Sequence, residues 1–140
     1  MAETKKNRVI SIIDGSNLHI WLASQVLPTR LHYTKLSTEC AKRMPKDLEP
    51  WVFLKTIYVT SSPIESDNPA AFREWQVFQD MLGKTDRLEV RLGRREGAPG
   101  SRKEKGVDTI ITTVLLEGAF RDLFDVALLF STDGDFADAI

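Results

Sequence analysis

Val9-Ile10-Ser11-Ile12-Ile13-Asp14-Gly15-Ser16-Asn17 is the stretch on which the fold turns. Val9 to Ile13 is β-branched and apolar at all but one position, as a strand buried on both faces of a parallel sheet would be. Asp14-Gly15-Ser16-Asn17 ends it with turn chemistry. From Leu18 to about Leu27, the residues Leu18, Trp21, Leu22, Gln25 and Val26 have helical spacing, and Pro28 is expected to stop the helix. The opening unit is therefore β-turn-α.

The rest of the chain continues that alternation. A second helix is expected from an N-cap at Thr34 to about Arg43, ahead of Pro45 and Pro50. Phe53 to Thr60 reads as a strand, closed by Ser61-Ser62-Pro63. Pro69 sits near the start of a helix carrying Phe72, Trp75, Phe78, Met81 and Leu82, ended by Gly83. Leu88-Glu89-Val90-Arg91-Leu92 alternates apolar with charged residues and predicts an edge strand with one wet face. Gly93 to Lys105 lacks hydrophobic periodicity and is expected to be a mobile loop. Val107 to Phe120 is helical in spacing, and Val126 to Phe130 is a fourth buried strand. Strands separated by helices predict an α/β domain, a doubly wound and mostly parallel sheet with helices on both faces. The chain breaks off at Ile140, a few residues into what reads as a last helix, so a truncated C-terminal part is expected.

With 140 residues and 15.8 kDa, one domain is expected. A composition 42% hydrophobic and 28% charged excludes the disordered and collagenous classes. The formal net charge is −1, so any nucleic-acid binding must come from a local patch. Cys40 is alone, and no C-x-x-C or Cys/His cluster suggests zinc or an iron-sulfur centre. A reducing cytoplasmic compartment fits, and no membrane anchor is read because the first apolar run is too short.

In open parallel sheets, sites form beyond the carboxyl ends of the strands. Asp14 follows the first strand, Asp133 and Asp135 follow the last, and Asp108 opens the helix leading into it. Each alone has a plain structural explanation as a turn, a helix cap or a dipole-complementing acid. Aspartate at three rim positions together favours a shared site. Such carboxylates raise one another's pKa unless a cation intervenes, and oxygen-only ligands favour Mg²⁺ or Mn²⁺ over zinc. A phosphodiester substrate is the expectation.

Asp14-Gly15-Ser16-Asn17, Lys105-Gly106-Val107-Asp108 and Ser131-Thr132-Asp133-Gly134-Asp135-Phe136 resemble, in order, the three signatures of NYN domains. These are relatives of the PIN nucleases and include the bacterial LabA-like group. The resemblance spans Val9 to Phe136, with nothing matched residue by residue between Thr29 and Glu104. It implies a PIN-like fold and a ribonuclease in which Asp14, Asp108, Asp133 and Asp135 ligate Mg²⁺ or Mn²⁺. Asn17 and Ser131 would orient those carboxylates or contact phosphate. The ion would activate a water for in-line attack on phosphorus.

Between Arg91 and Lys105 stand six basic residues against Glu96 and Glu104. Arg94, Arg95, Arg102, Lys103 and Lys105 are the expected phosphate contacts, set against the simpler reading of a solvated loop. His19 and His32 read as helix-surface and loop residues, Trp75 and Phe78 as core, and Cys40 as packing. The expected partner is RNA; a C-terminal domain or partner completing the last helix, or a second copy of the chain, is also open. Two other functions compete. One is a non-catalytic RNA-binding or scaffolding module of the same fold. The other is a magnesium-dependent phosphatase with Asp14 as nucleophile, as in the haloacid dehalogenase fold, where a second acid is expected at the position Ser16 occupies.

Overall fold

The computed structural model describes residues 2–134, Phe136 and Ile140. β1 (Asn7–Asp14) leads through α1 (Gly15–Ser24) and α2 (Tyr33–Ala41) to β2 (Trp51–Thr60), and α3 (Pro69–Gly83) leads to β3 (Leu88–Leu92). A small hairpin, β4 (Arg94–Glu96) and β5 (Lys103–Lys105), precedes α4 (Val107–Phe120) and β6 (Val126–Phe130). The large sheet has the order β3-β2-β1-β6, and every pairing in it is parallel. The alternating strand, Leu88–Leu92, is at the sheet edge as its pattern predicts. The two acid-bearing strands, β1 and β6, are neighbours.

Helices cover both faces, which is why β1 is apolar without alternation. Ile10 and Ile12 pack with Ile57 and Val59 of β2 against Val107, Ile111 and Val114 of α4. On the other face, Ile13 and Tyr58 pack with Tyr33 of α2 and Leu82 of α3. Ser11, the polar exception in β1, is fully buried and satisfied by Ser37 of α2 and Thr56 of β2. A hydroxyl is tolerated there because it keeps hydrogen-bond partners. Among the described residues, no helix is long and apolar enough to cross a membrane.

Three expectations need correction. The first helix begins at Gly15 and stops at Ser24, before Pro28. Its end is a Schellman motif, with the Leu27 N–H bonded to the Leu22 carbonyl and the Val26 N–H to that of Ala23. Next, α2 is capped by His32 and not Thr34: His32 Nδ1 accepts from the Lys35 N–H. Thr34 is buried, its hydroxyl donating to the Asp86 carbonyl. Finally, Gly93 to Lys105 is no structureless loop. Arg94 pairs with Lys105, Arg95 with Glu104 and Glu96 with Lys103 in an antiparallel ladder. Charged side chains hid this strand pair, because hydrophobic alternation was the signal sought. The expected last helix, with Asp135, lies outside the described residues.

Candidate functional site

The carboxyl edge of β1 is where the fold gathers its polar groups. Asp14 ends the strand and caps α1, one carboxylate oxygen accepting from the Asn17 N–H at 3.3 Å. Only 5% of the residue is exposed. Gly15 follows for a packing reason: a Cβ there would stand 2.5 Å from the ring of buried Tyr58. The tight turn thus seats α1 directly over β2.

The segment after β6 is tied to this corner. Ser131 donates to the second Asp14 oxygen at 3.3 Å and accepts from the Asp133 N–H at 3.1 Å. Asn17 takes the Thr132 N–H on its carbonyl oxygen and gives its amide N–H to the Thr132 hydroxyl, each at 2.9 Å. Asn17 and Ser131 therefore fix the turn that carries Asp133 against Asp14. The first and third motifs of the sequence meet here through hydrogen bonds. Asp133 is half-buried, whereas Asp108 is exposed in the first turn of α4, where a negative charge complements the helix dipole.

A further acid belongs to the corner. Glu104 of β5 accepts hydrogen bonds from Ser16 and Ser61, both at 2.6 Å on the same oxygen. Sequence reading counted Glu104 only as an offset to neighbouring lysines. The signal that finds it is the Lys103-Glu104-Lys105 alternation, which in a strand puts the glutamate on the face opposite the lysines. Its serine partners lie 88 and 43 residues away in the chain, so no local motif announces the contact.

Burial pushes the Asp14 carboxyl above the ordinary carboxylate range, opposed by the hydrogen bonds from Asn17 and Ser131 and reinforced by the negative charges of Asp108 and Glu104. Asp14 is thus a desolvated carboxylate in a field of like charge. Among the described residues, no three acidic, histidine or cysteine side chains form a ready-made metal cage. Magnesium seldom uses one; one or two carboxylates with waters and substrate phosphates suffice.

The basic residues divide. Arg94 pairs with Glu96 at 2.6 Å, and Arg102 pairs with Asp67 while donating to the Gly97 carbonyl. Lys103 and Lys105 are exposed on β5. Arg95 points away from these in the ladder and lines a cavity of about 310 Å³ beside the acid corner, with Ser16 and His19 of α1, Tyr58 and Thr60 of β2, and Trp75 of α3. Trp75 and Phe78 do belong to the core, in edge contact with each other, yet both also border this cavity.

Comparison of the chain with family models, curated proteins and solved structures found no match. The motifs and the geometry of this corner carry the functional reading.

Proposed function

We propose that the chain is a metal-dependent ribonuclease of the PIN-like, NYN kind, hydrolysing RNA phosphodiester bonds at the corner built by Asp14. One observation carries the reading: a nearly buried aspartate at the carboxyl end of a central parallel strand, its pKa raised by burial and by neighbouring acids, with no cationic side chain bonded to it among the described residues. A carboxylate so placed gains most from a hard cation. The donor set fits one, since Asp14, Asp108, Asp133 and Glu104 offer only oxygen. Asp14, Asp108 and Asp133, with Asp135 by resemblance, would hold Mg²⁺ or Mn²⁺. When bound, the ion supplies Lewis acidity toward phosphate and a water of lowered pKa. Ser131 and Asn17 hold the β6 turn in place for this, and Lys103 and Lys105 supply phosphate affinity without base specificity.

The alternative is an RNA-binding module of the same fold without catalysis, since a fold alone does not establish activity. Labelled single-stranded and structured RNA, incubated with the protein in Mg²⁺, Mn²⁺ or EDTA, separates the two. Cleavage with metal, none in EDTA, and none of a phosphomonoester is the expected result. Binding without cleavage under all conditions would leave the module.

A further inference from the structure

The cavity beside the acid corner has no role in the chemistry above. It is walled by α1, the end of β2, α3 and the β4–β5 hairpin, and at about 310 Å³ it is at the small end of ligand pockets. Gly15 and Ser16, the two residues after Asp14, form part of its rim. A group bound through phosphate at Asp14 thus has this hollow as its immediate neighbour. Its lining mixes ring edges and aliphatic surface from Tyr58, Trp75, Phe78 and Ile20 with hydroxyls from Ser16 and Thr60.

One of the lining residues carries an unsatisfied polar atom. The Nε of Arg95 is buried and finds no hydrogen-bond partner among the described residues. Such atoms are rare, because a buried donor without an acceptor carries its full desolvation cost. Arg94 and Arg102 of the same hairpin both have carboxylate partners. Arg95 is the exception, and it is the one that lines the cavity.

We infer that the cavity is a nucleobase subsite, taking one unpaired base of single-stranded RNA with an acceptor atom of the base edge on the Arg95 guanidinium. A hollow of about 310 Å³ has room for a single base, the aromatic and aliphatic walls suit a flat heterocycle, and Arg95, which has no ion pair among the described residues, can turn its guanidinium toward a carbonyl or ring-nitrogen acceptor. A base held here fixes the register of the adjoining phosphate at Asp14, giving the site a preference that phosphate contacts alone do not supply. This inference rests on the ribonuclease reading for the identity of the ligand, but not for its test.

The probe is the free nucleosides, which lack phosphate, titrated in EDTA while the indole N–H resonance of Trp75 is followed by NMR. The resonance is assigned by its loss in Trp75→Phe. A saturable shift with at least one nucleoside is expected. Arg95→Gln should weaken it roughly tenfold, the loss expected for one hydrogen bond to a charged group. Ala71→Phe adds bulk to the α3 wall without touching a polar group and should abolish the shift. If nucleosides bind but RNA is never cleaved, the subsite stands and the ribonuclease reading falls. If RNA is cleaved, yet no nucleoside moves Trp75 and Ala71→Phe cleaves every sequence as the parent does, the subsite is overturned and the ribonuclease reading stands.

Discussion

Asp14 holds together two requirements that usually conflict. As the cap of α1 it needs only a short side chain with an acceptor oxygen, and asparagine serves as well as aspartate. As a buried carboxylate beside Asp108 and Glu104 it carries a charge that destabilises the metal-free fold. Its folded-state pKa lies above the unfolded value, so the folded chain binds the proton more tightly. Stability then falls as pH rises from the ordinary carboxylate range through the folded value, and the loss is complete above it. Asp14→Asn should therefore be more stable than the parent at neutral pH without metal, and thermal melts across pH should show that the advantage shrinks in acid. Cleavage should fall by at least about a hundredfold, since altering even the surroundings of a metal ligand costs roughly 10–100-fold. A variant that is less stable at neutral pH would mark Asp14 as a structural turn residue. Glu104 invites a parallel substitution. Glu104→Gln retains an oxygen for Ser16 and Ser61 and removes only charge. Its melting temperature should stay near that of the parent while cleavage drops roughly tenfold or more; unchanged cleavage would reduce Glu104 to a latch for the hairpin.

Among the elements, what the sequence disclosed follows the kind of signal each one emits. The four strands of the large sheet announced themselves through apolar runs or clean alternation, which put Asp14 and Asp133 at strand ends; that the two strands are neighbours is visible only in the fold. The hairpin emitted none of that, because its strands are three residues long and wholly charged. It is held by ladder bonds and by the Arg102–Asp67 ion pair, neither visible to hydrophobic periodicity. Glu104 was missed with it. The end of α1 was misplaced because Pro28 looked like the stop, whereas the Schellman turn comes first. That turn puts Val26 at φ 56°, a left-handed conformation a β-branched side chain adopts only under strain, with 93% of the residue in solvent. Val26→Gly should accordingly stabilise the protein by about 1 kcal/mol in denaturant unfolding, the scale of the left-handed penalty for a side chain. Destabilisation would contradict the strained turn. The hairpin has its own sensitive point at Gly93, where a Cβ would stand 2.6 Å from the Lys105 carbonyl oxygen. Backbone cannot swing aside as a side chain does, so Gly93→Ala should shift β5 and with it Glu104. Cleavage should suffer more than stability, which a melt paired with a rate measurement will separate.

For the whole molecule, the deciding quantity is where uncompensated positive charge remains on a chain whose formal net charge is −1. Global attraction toward a polyanion is absent, so the proposed RNA binding would rest on a few local cations. The six basic residues from Arg91 to Lys105 are not equivalent in this respect. Arg91 pairs with Glu89, Arg94 with Glu96 and Arg102 with Asp67, so contact with phosphate would require each to give up part of an existing ion pair. Arg95 faces the cavity. Lys103 and Lys105, exposed on the same face of β5, have no ion pair among the described residues and can exchange condensed counterions for phosphate. Each cation that neutralises a phosphate of single-stranded nucleic acid contributes about −0.7 to the slope of log affinity against log salt. Removing both lysines, as Lys103→Ala with Lys105→Ala, should flatten that slope by about 1.4 and weaken binding alike for all sequences. The pair Arg94→Ala with Arg102→Ala should change the slope by clearly less, because those charges are already opposed. Equal slopes for the two double variants would mean that RNA displaces the internal carboxylates, and that Arg94 and Arg102 bind phosphate as well as the lysines do.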